Sequence, residues 1–157
     1  MNLYLVQHAE AKPKKEDPKR PLSEKGRADI QKVAAYVARH TSIELNQINH
    51  SGKTRARQTA AALAEDLQPS EGISQVADLT PLAEASAWAT RLAEMTEDVM
   101  LVGHLPHLSK LASLLLCQDD TKTVVAFQMG GLVCLGRDEA GDWALRWMVT
   151  PELVISD

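Results

Sequence analysis

Histidine and arginine residues stand in this chain where apolar segments end or predicted helices begin. The apolar run 3–6 stops at Gln7 and His8, and a second apolar run, 98–104, ends at His104. Arginine binds phosphate oxygens through two parallel N–H groups and stays charged at any working pH, while a neutral imidazole nitrogen can act as a nucleophile. These residue types predict an anion site, most simply a phosphate site. Its candidate residues are Gln7, His8, Arg20, Ser51, Arg55 and His104.

The elements that must position these residues follow from the hydrophobic pattern. Short apolar runs predict buried strands, and apolar residues repeating every three to four positions predict helices. The predicted strands cover residues 2–7, a second segment within 44–51 that ends near Asn49 or His50, a short stretch within 73–79, and then 98–104, 123–128, 131–137 and 143–149. The predicted helices cover the segment that follows the capping residue Ser23, then 53–67, 84–95 and 105–117, with Pro106 in the first turn of the last one. A charged loop with three prolines (10–21) and a hairpin turn (139–142) connect these elements.

Strands that alternate with helices predict a single α/β domain over residues 1–157, a three-layer α/β/α sandwich with a mostly parallel central sheet. In such sheets, ligands bind beyond the carboxyl ends of the strands. His8 and His104 lie at two such ends. Ser51 and Arg55 lie just past the second strand, where a helix N-terminus adds backbone N–H groups and partial positive charge. Three separate segments are therefore expected to meet at one edge of the sheet.

Composition excludes several classes of function. The 157 residues carry a net charge of −4, which gives no basic footprint for general nucleic-acid binding. No stretch approaches the length of a membrane span, and the N-terminus shows no secretory signal pattern. We therefore expect a cytoplasmic protein with neither a nucleic-acid nor a membrane partner. The two cysteines, Cys117 and Cys134, are expected to be buried free thiols, because two alone make no disulfide framework.

Four segments in order carry a family resemblance: "LYLVQHAEAK", "RPLSEKG", "SGKTRARQTA" and "VGHLPHL". Together they resemble the motifs of the histidine phosphatase superfamily, and within it the short SixA-type phosphohistidine phosphatases. The correspondence covers nearly the whole chain and implies a phosphoglycerate mutase-like fold. It also implies a phosphatase that needs no cofactor or metal.

The resemblance implies a role for most of the candidate residues. His8 would be the phosphorylated nucleophile, and Arg55 would clamp the phosphoryl oxygens. His104 would be the second pocket histidine, donating to the transferring group, and Arg20 would make another phosphate contact. Ser51 either contacts phosphate or simply ends its strand, and both readings stay open.

Gln7 departs from the family pattern, because it stands where the family usually has an arginine. A glutamine can still donate an N–H to a phosphate oxygen, but as a neutral group. A hydrogen bond to a charged partner contributes about 1.5–3 kcal/mol, against about 1 kcal/mol for a neutral pair. The change could therefore cost roughly ten- to a hundred-fold in rate. It leaves the nucleophile in place, which favours a slow or retuned enzyme over an inactive one.

The proton donor is less clearly marked, since the nearby acids Asp78 and Glu84 fall in no matching motif. A phosphohistidine substrate lessens the need for such a donor, because its leaving group, once protonated on nitrogen, is a neutral imidazole. Another histidine, His107, lies three residues after His104. A metal pair is disfavoured there because no acid or cysteine ligand accompanies the two, and His107 is expected to rim the pocket or to pack.

The sequence thus predicts a phosphatase that hydrolyses phosphohistidine on a signalling protein, such as a histidine phosphotransfer domain, through a covalent intermediate at His8. Two alternatives remain open at this stage. One is a phosphatase of small phosphoesters. The other is a weakly active or non-catalytic phosphate-binding module, which Gln7 in place of arginine would explain. The lysines of the 10–21 loop are either simply solvated or steer an acidic protein partner toward the pocket.

Overall fold

Strands and helices alternate through the first two thirds of the chain, as the hydrophobic pattern predicts. The computed structural model describes residues 1–155. Its strands are β1 (Asn2–Gln7), β2 (Ile48–His50), β3 (Ile73–Gln75), β4 (Val99–Gly103), β5 (Leu132–Arg137) and β6 (Trp143–Val149). Its helices are α1 (Glu24–His40), α2 (Thr54–Leu67), α3 (Ala85–Glu94) and α4 (His107–Cys117), followed after β6 by a 3₁₀ turn at Pro151–Leu153. None of these helices is long and apolar enough to cross a membrane.

The six strands form one sheet in the order β3-β2-β4-β1-β5-β6. The first four of these are mutually parallel, and β5 and β6 are antiparallel to their neighbours. Gln7 pairs with Gly103, and His50 pairs with Val102. The register therefore aligns the carboxyl ends of β1, β4 and β2, so that His8, His104 and Ser51 emerge at the same edge. The predicted mostly parallel α/β fold is confirmed.

Each face of the sheet packs against its own pair of helices. Along β1, Tyr4 and Val6 belong to the core under α1 and α2, whereas Leu3 and Leu5 belong to the core under α3 and α4. This alternation is what a strand buried on both sides requires, since successive side chains point to opposite faces. The result is a three-layer sandwich that holds the strand ends rigidly.

The loop between β1 and α1 is tied to the helix at a glycine. Ser23 caps α1 by accepting a hydrogen bond from the Gly26 N–H at 3.0 Å, and its hydroxyl donates to the Glu10 carboxylate at 2.8 Å. A Cβ atom at Gly26 would lie 2.0 Å from the Glu10 carbonyl oxygen. Only glycine allows this approach, which holds the loop carrying Arg20 close to the end of β1.

Several sequence-based boundaries are wrong. The segment 123–128 is not a strand: it belongs to none of the six paired strands, and Val125 is buried instead by packing into the core under α3 and α4. Helix α4 begins at His107, two residues later than predicted, and β2 has three residues. Cys134 is a buried free thiol as expected, but Cys117 is exposed because it ends α4 on the solvent side.

Candidate active site

The two histidines lie side by side where β1 and β4 end. The backbone N–H of His8 donates to the Gly103 carbonyl at 3.0 Å, which continues the pairing of the strands by one residue. The ring centroids of His8 and His104 are 5.1 Å apart, with 51° between the ring planes. The pair is nearly closed to solvent, with 8% of His8 and 1% of His104 exposed. Neighbouring strands thus place two imidazoles within reach of one small group.

The hydrogen bonding of His8 defines which ring nitrogen is free. Its Nδ1 lies 2.7 Å from the Ala9 carbonyl oxygen, which can only accept, so Nδ1 carries the proton of the neutral ring. Nε2 then holds a lone pair. Burial lowers the pKa of His8 below its usual value, against the opposing effect of the Ala9 bond, and the charges of Arg55 and Arg20 lower it further. His8 is accordingly a neutral imidazole at pH 7 with Nε2 as a nucleophilic nitrogen.

His104 is held neutral more strongly than His8. Burial is the main cause that lowers its pKa to about 3, followed by the effects of His8 and Arg55 and then of Lys53. Its Nε2 lies 2.6 Å from the Ser51 hydroxyl oxygen. Its Nδ1 is buried and has no hydrogen-bond partner within residues 1–155. One ring nitrogen of His104 is therefore hydrogen-bonded within the protein, and the other is available to form a hydrogen bond with a ligand.

Two arginines share the pocket. Arg55 lies in the first turn of α2, and its Nε is buried without a hydrogen-bond partner in the described chain. Arg20 is held in a left-handed backbone conformation (φ 48°), and its Nε donates to the Lys12 carbonyl at 3.1 Å. Burial, and secondarily the charge of Arg20, lower the pKa of the Arg55 guanidinium. Because each arginine carries a positive charge that acts on the other, an anion bound beside both would be favoured.

Gln7 brings a neutral amide to the same strand end. Its backbone carbonyl accepts from the Gly130 N–H at 3.0 Å, which fastens the segment before β5 to the pocket. Its side-chain Oε1 is buried, and the described residues offer it no donor. The structure therefore connects five of the six residues that the sequence singled out: Ser51 contacts His104, His104 lies next to His8, and the charges of Arg55 and Arg20 act on His8. Within residues 1–155 no hydrogen bond joins the Gln7 amide to any of these five side chains.

The two predicted proton donors lie in the segment between β3 and α3. Asp78 forms an ion pair with Arg91, and Glu84 is an exposed residue just before α3. In the structure as described, no hydrogen bond or ion pair joins either acid to His8 or His104. The charge of Asp78 acts instead on His107, whose pKa is lowered chiefly by burial. His107 lies fully buried at the start of α4, and neither of its ring nitrogens has a hydrogen-bond partner within residues 1–155.

Two supporting residues had no role assigned from sequence. Thr59 accepts the Ala9 N–H at 3.0 Å and donates to the Arg55 carbonyl at 2.8 Å, so it links the loop after His8 to helix α2. Lys53, just before α2, places a further positive charge near His104. The signal for Lys53 was its position between a strand end and a helix N-terminus, where anion-binding groups collect.

Comparison with known proteins agrees with this geometry. The family model of the histidine phosphatase superfamily (branch 1) matches residues 3–87. The chain belongs to this superfamily. Its members and their solved structures support a phosphatase activity, although no curated protein sequence matches the chain.

The solved structures that resemble this one include phosphatases of different substrates. The protein histidine phosphatase SixA complexed with tungstate superposes with a TM-score of 0.83 at 22% identity, covering 96% of this chain and 97% of that one. A protein from Agrobacterium tumefaciens with a proposed identity as phosphohistidine phosphatase SixA gives 0.76 at 26% identity, covering 96% and 97%. The α-ribazole phosphatase from Shigella flexneri gives 0.78 at 14% identity over 100% of both chains. Fold similarity alone does not separate these substrates.

Proposed function

We propose that this protein is a phosphohistidine phosphatase that works through a covalent phosphohistidine at His8. The observation that carries the proposal is the free Nε2 of a neutral, nearly buried His8, which faces a second neutral histidine and lies near two arginines. An anionic phosphoryl group matches the positive charge, and a lone pair on nitrogen matches the electrophilic phosphorus.

The reaction would proceed in two transfers. In the first, His8 Nε2 forms a bond to phosphorus while the P–N bond of the substrate breaks. The substrate imidazole, which carries a proton on its other ring nitrogen, takes back the P–N electron pair and leaves as a neutral ring. In the second, water attacks phosphorus and the bond to His8 breaks, which returns the electron pair to Nε2. Inorganic phosphate leaves with the oxygen and both protons of the water, as dihydrogen phosphate. Arg55 and Arg20 would stabilise the charge on the equatorial oxygens, the largest contribution expected for phosphoryl transfer.

The position of the acids supports a P–N substrate. A phosphoester expels an alkoxide, which needs a proton from a nearby acid, whereas a protonated phosphohistidine expels a neutral imidazole. Asp78 is engaged by Arg91, and Glu84 is exposed before α3. Should a proton donor be needed, Asp78 is the better placed of the two, since its charge already acts on His107.

Exposed apolar residues near the pocket support a protein substrate. Leu105 directly follows His104 and is 38% exposed, and Met129 precedes the glycine that bonds to Gln7. Leu82, which is 88% exposed, lies three residues after Leu79, whose carbonyl oxygen lies against Gly103. Exposed apolar side chains on segments that adjoin the site would suit contact with the surface of another protein. The partner would be a phosphorylated protein, such as a histidine phosphotransfer domain, and the cytoplasm its location.

The neutral amide of Gln7 favours a second candidate function, that of a phosphate-binding module with little or no turnover. A labelling experiment separates the two. The protein is incubated with labelled phosphoramidate or phosphohistidine protein, quenched in alkali, and searched for acid-labile label. We expect label on His8 in the wild type, none in His8→Asn, and full labelling in the control His40→Asn, which alters an exposed histidine at the end of α1. Undiminished turnover in His8→Asn would exclude the covalent mechanism.

Substrate comparison tests the phosphohistidine assignment separately. The hydrolysis rates of phosphohistidine protein, phosphoramidate, an aryl phosphate and a sugar phosphate are measured at equal enzyme concentration. The proposal expects the P–N compounds to be hydrolysed fastest. Faster turnover of the sugar phosphate would assign the protein to small phosphoesters instead, and vanadate binding without turnover of any compound would indicate the binding module.

A further inference from the structure

The hydroxyl of Ser51 lies against the buried imidazole of His104. Its Oγ is 2.6 Å from His104 Nε2, and Ser51 itself is only 6% exposed. The backbone N–H of Lys53 also donates to this Oγ, at 3.3 Å. The hydroxyl is therefore engaged by the protein on two sides, which neither of the two readings left open by the sequence, a phosphate contact or a simple strand end, includes.

Counting protons at this contact assigns a direction to the hydrogen bond. A serine hydroxyl donates once and accepts up to twice, and the Lys53 N–H already uses one acceptor position. Among the residues that the structure describes, His104 Nε2 is the one acceptor within hydrogen-bond distance of the Ser51 proton. If Nε2 itself carried a proton, the hydroxyl proton would be buried without a partner, at a cost of about 1–3 kcal/mol. The hydroxyl therefore donates to Nε2.

The other ring nitrogen must then carry the proton of the neutral imidazole. We propose that Ser51 is a positioning residue that fixes the Nδ1–H tautomer of His104, so that a buried N–H is ready to donate to the transferring phosphoryl group. Nδ1 is buried and finds no acceptor in residues 1–155, and the ring of His8 lies 5.1 Å away between centroids. A phosphoryl oxygen held by His8 and Arg55 supplies that acceptor. The tautomer is a property of the free protein, and only the identity of the acceptor rests on the proposed function.

The ring ¹⁵N chemical shifts of His104 test the inference directly. In labelled wild-type protein at pH 7, we expect a protonated Nδ1 and an unprotonated Nε2. Ser51→Ala should shift the population toward protonated Nε2, and Ser51→Thr, which keeps a hydroxyl, should restore the wild-type pattern. Ser113→Ala is the matched control, because Ser113 is an equally buried serine whose hydroxyl donates elsewhere, to the Lys122 carbonyl at 2.6 Å. It should leave the His104 shifts unchanged.

The kinetic consequence is measured with the same variants. Ser51→Ala should lower the rate of phosphoryl transfer on the order of 10- to 100-fold, as expected for losing part of one pre-oriented donor, with little change in the affinity for inorganic phosphate. A protonated Nε2 in the wild type, or an unchanged tautomer in Ser51→Ala, overturns the inference. So does a marked loss of phosphate affinity with the tautomer intact, which would make Ser51 a phosphate ligand. If Ser51→Ala fails to fold, the wild-type and Ser51→Thr spectra still decide, and they do so even if no substrate is turned over.

Discussion

Replacing Gln7 by arginine tests whether the neutral amide limits the phosphate pocket. The variant puts a guanidinium at the end of β1, directly before His8, whose pKa the charges of Arg55 and Arg20 already lower. Without an anion, that added charge should destabilise the fold, because the pKa of Arg55 is itself already lowered by burial and by Arg20. With a phosphate bound, the same charge becomes favourable.

The expected gain follows from the change in hydrogen-bond type. A neutral amide donor contributes about 1 kcal/mol and a charged donor about 1.5–3 kcal/mol. The difference of about 0.5–2 kcal/mol corresponds to roughly 2- to 30-fold tighter binding of phosphate or vanadate. The rate should rise by a similar factor, because the charge on the transferring group is spread over the oxygens that the new guanidinium would contact.

The assay compares inhibition constants for inorganic phosphate and vanadate, together with kcat, in the wild type, Gln7→Arg and two controls. Gln7→Met removes the amide at nearly constant size and should weaken binding. Gln47→Arg adds the same charge just before β2, at the opposite end of the sheet, and should change neither constant. If Gln7→Arg weakens binding and slows turnover together, the amide is fitted to its own substrate, and the reasoning from charge is wrong.

Two further predictions use other parts of the structure. Burial lowers the pKa of four histidines: His8, His50, His104 and His107. Below pH 6.5 the unfolded chain therefore binds more protons than the folded one. As the pH decreases through this range, the free energy of unfolding should fall by up to about 1.4 kcal/mol per pH unit for each such histidine. In urea unfolding measured between pH 7 and 5, His107→Leu should reduce the slope of the free energy of unfolding against pH, whereas His40→Asn should not. An equal slope in both variants would contradict this prediction. Leu82→Ser should raise the KM for a phosphohistidine protein and leave the KM for phosphoramidate unchanged. The control Leu145→Ser, on the exposed edge strand β6, should change neither KM. An equal rise in KM for both substrates would argue against a protein-binding surface at Leu82.

The fold was largely predictable because its strands are continuous apolar runs, such as 3–6 and 99–102, between amphipathic helices. The failures lie where pattern alone cannot choose between structures. Residues 123–128 have the composition of a strand, but they pair with no strand of the sheet, and Val125 is buried by packing under α3 and α4 instead. Cys117 continues the apolar run of α4, yet its position in the last turn places it in solvent.

Which residues form the candidate site could be predicted from the sequence, but the hydrogen bonds between them could not. The alignment of strand ends could be inferred from parallel topology, and the structure does bring His8, His104 and Arg55 together. The direction of the Ser51 hydrogen bond depends on a 2.6 Å contact between two segments 53 residues apart, which no local pattern encodes. Tautomers are set by such contacts, so sequence reasoning could name the histidines without knowing which nitrogen each would present.

Lys53 changes how the loss of an arginine at position 7 should be weighed. From the sequence, Gln7 removed one of the charges that usually surround the phosphate. The structure places a lysine beside the pocket, where its charge helps to lower the pKa of His104, in addition to Arg55 and Arg20. Electrostatic stabilisation depends on the summed charge near the phosphoryl oxygens, and here three cations surround two neutral histidines. With the nucleophile free and most of the charge retained, a slower or retuned phosphatase fits this pocket better than a binding module whose chemistry has been lost.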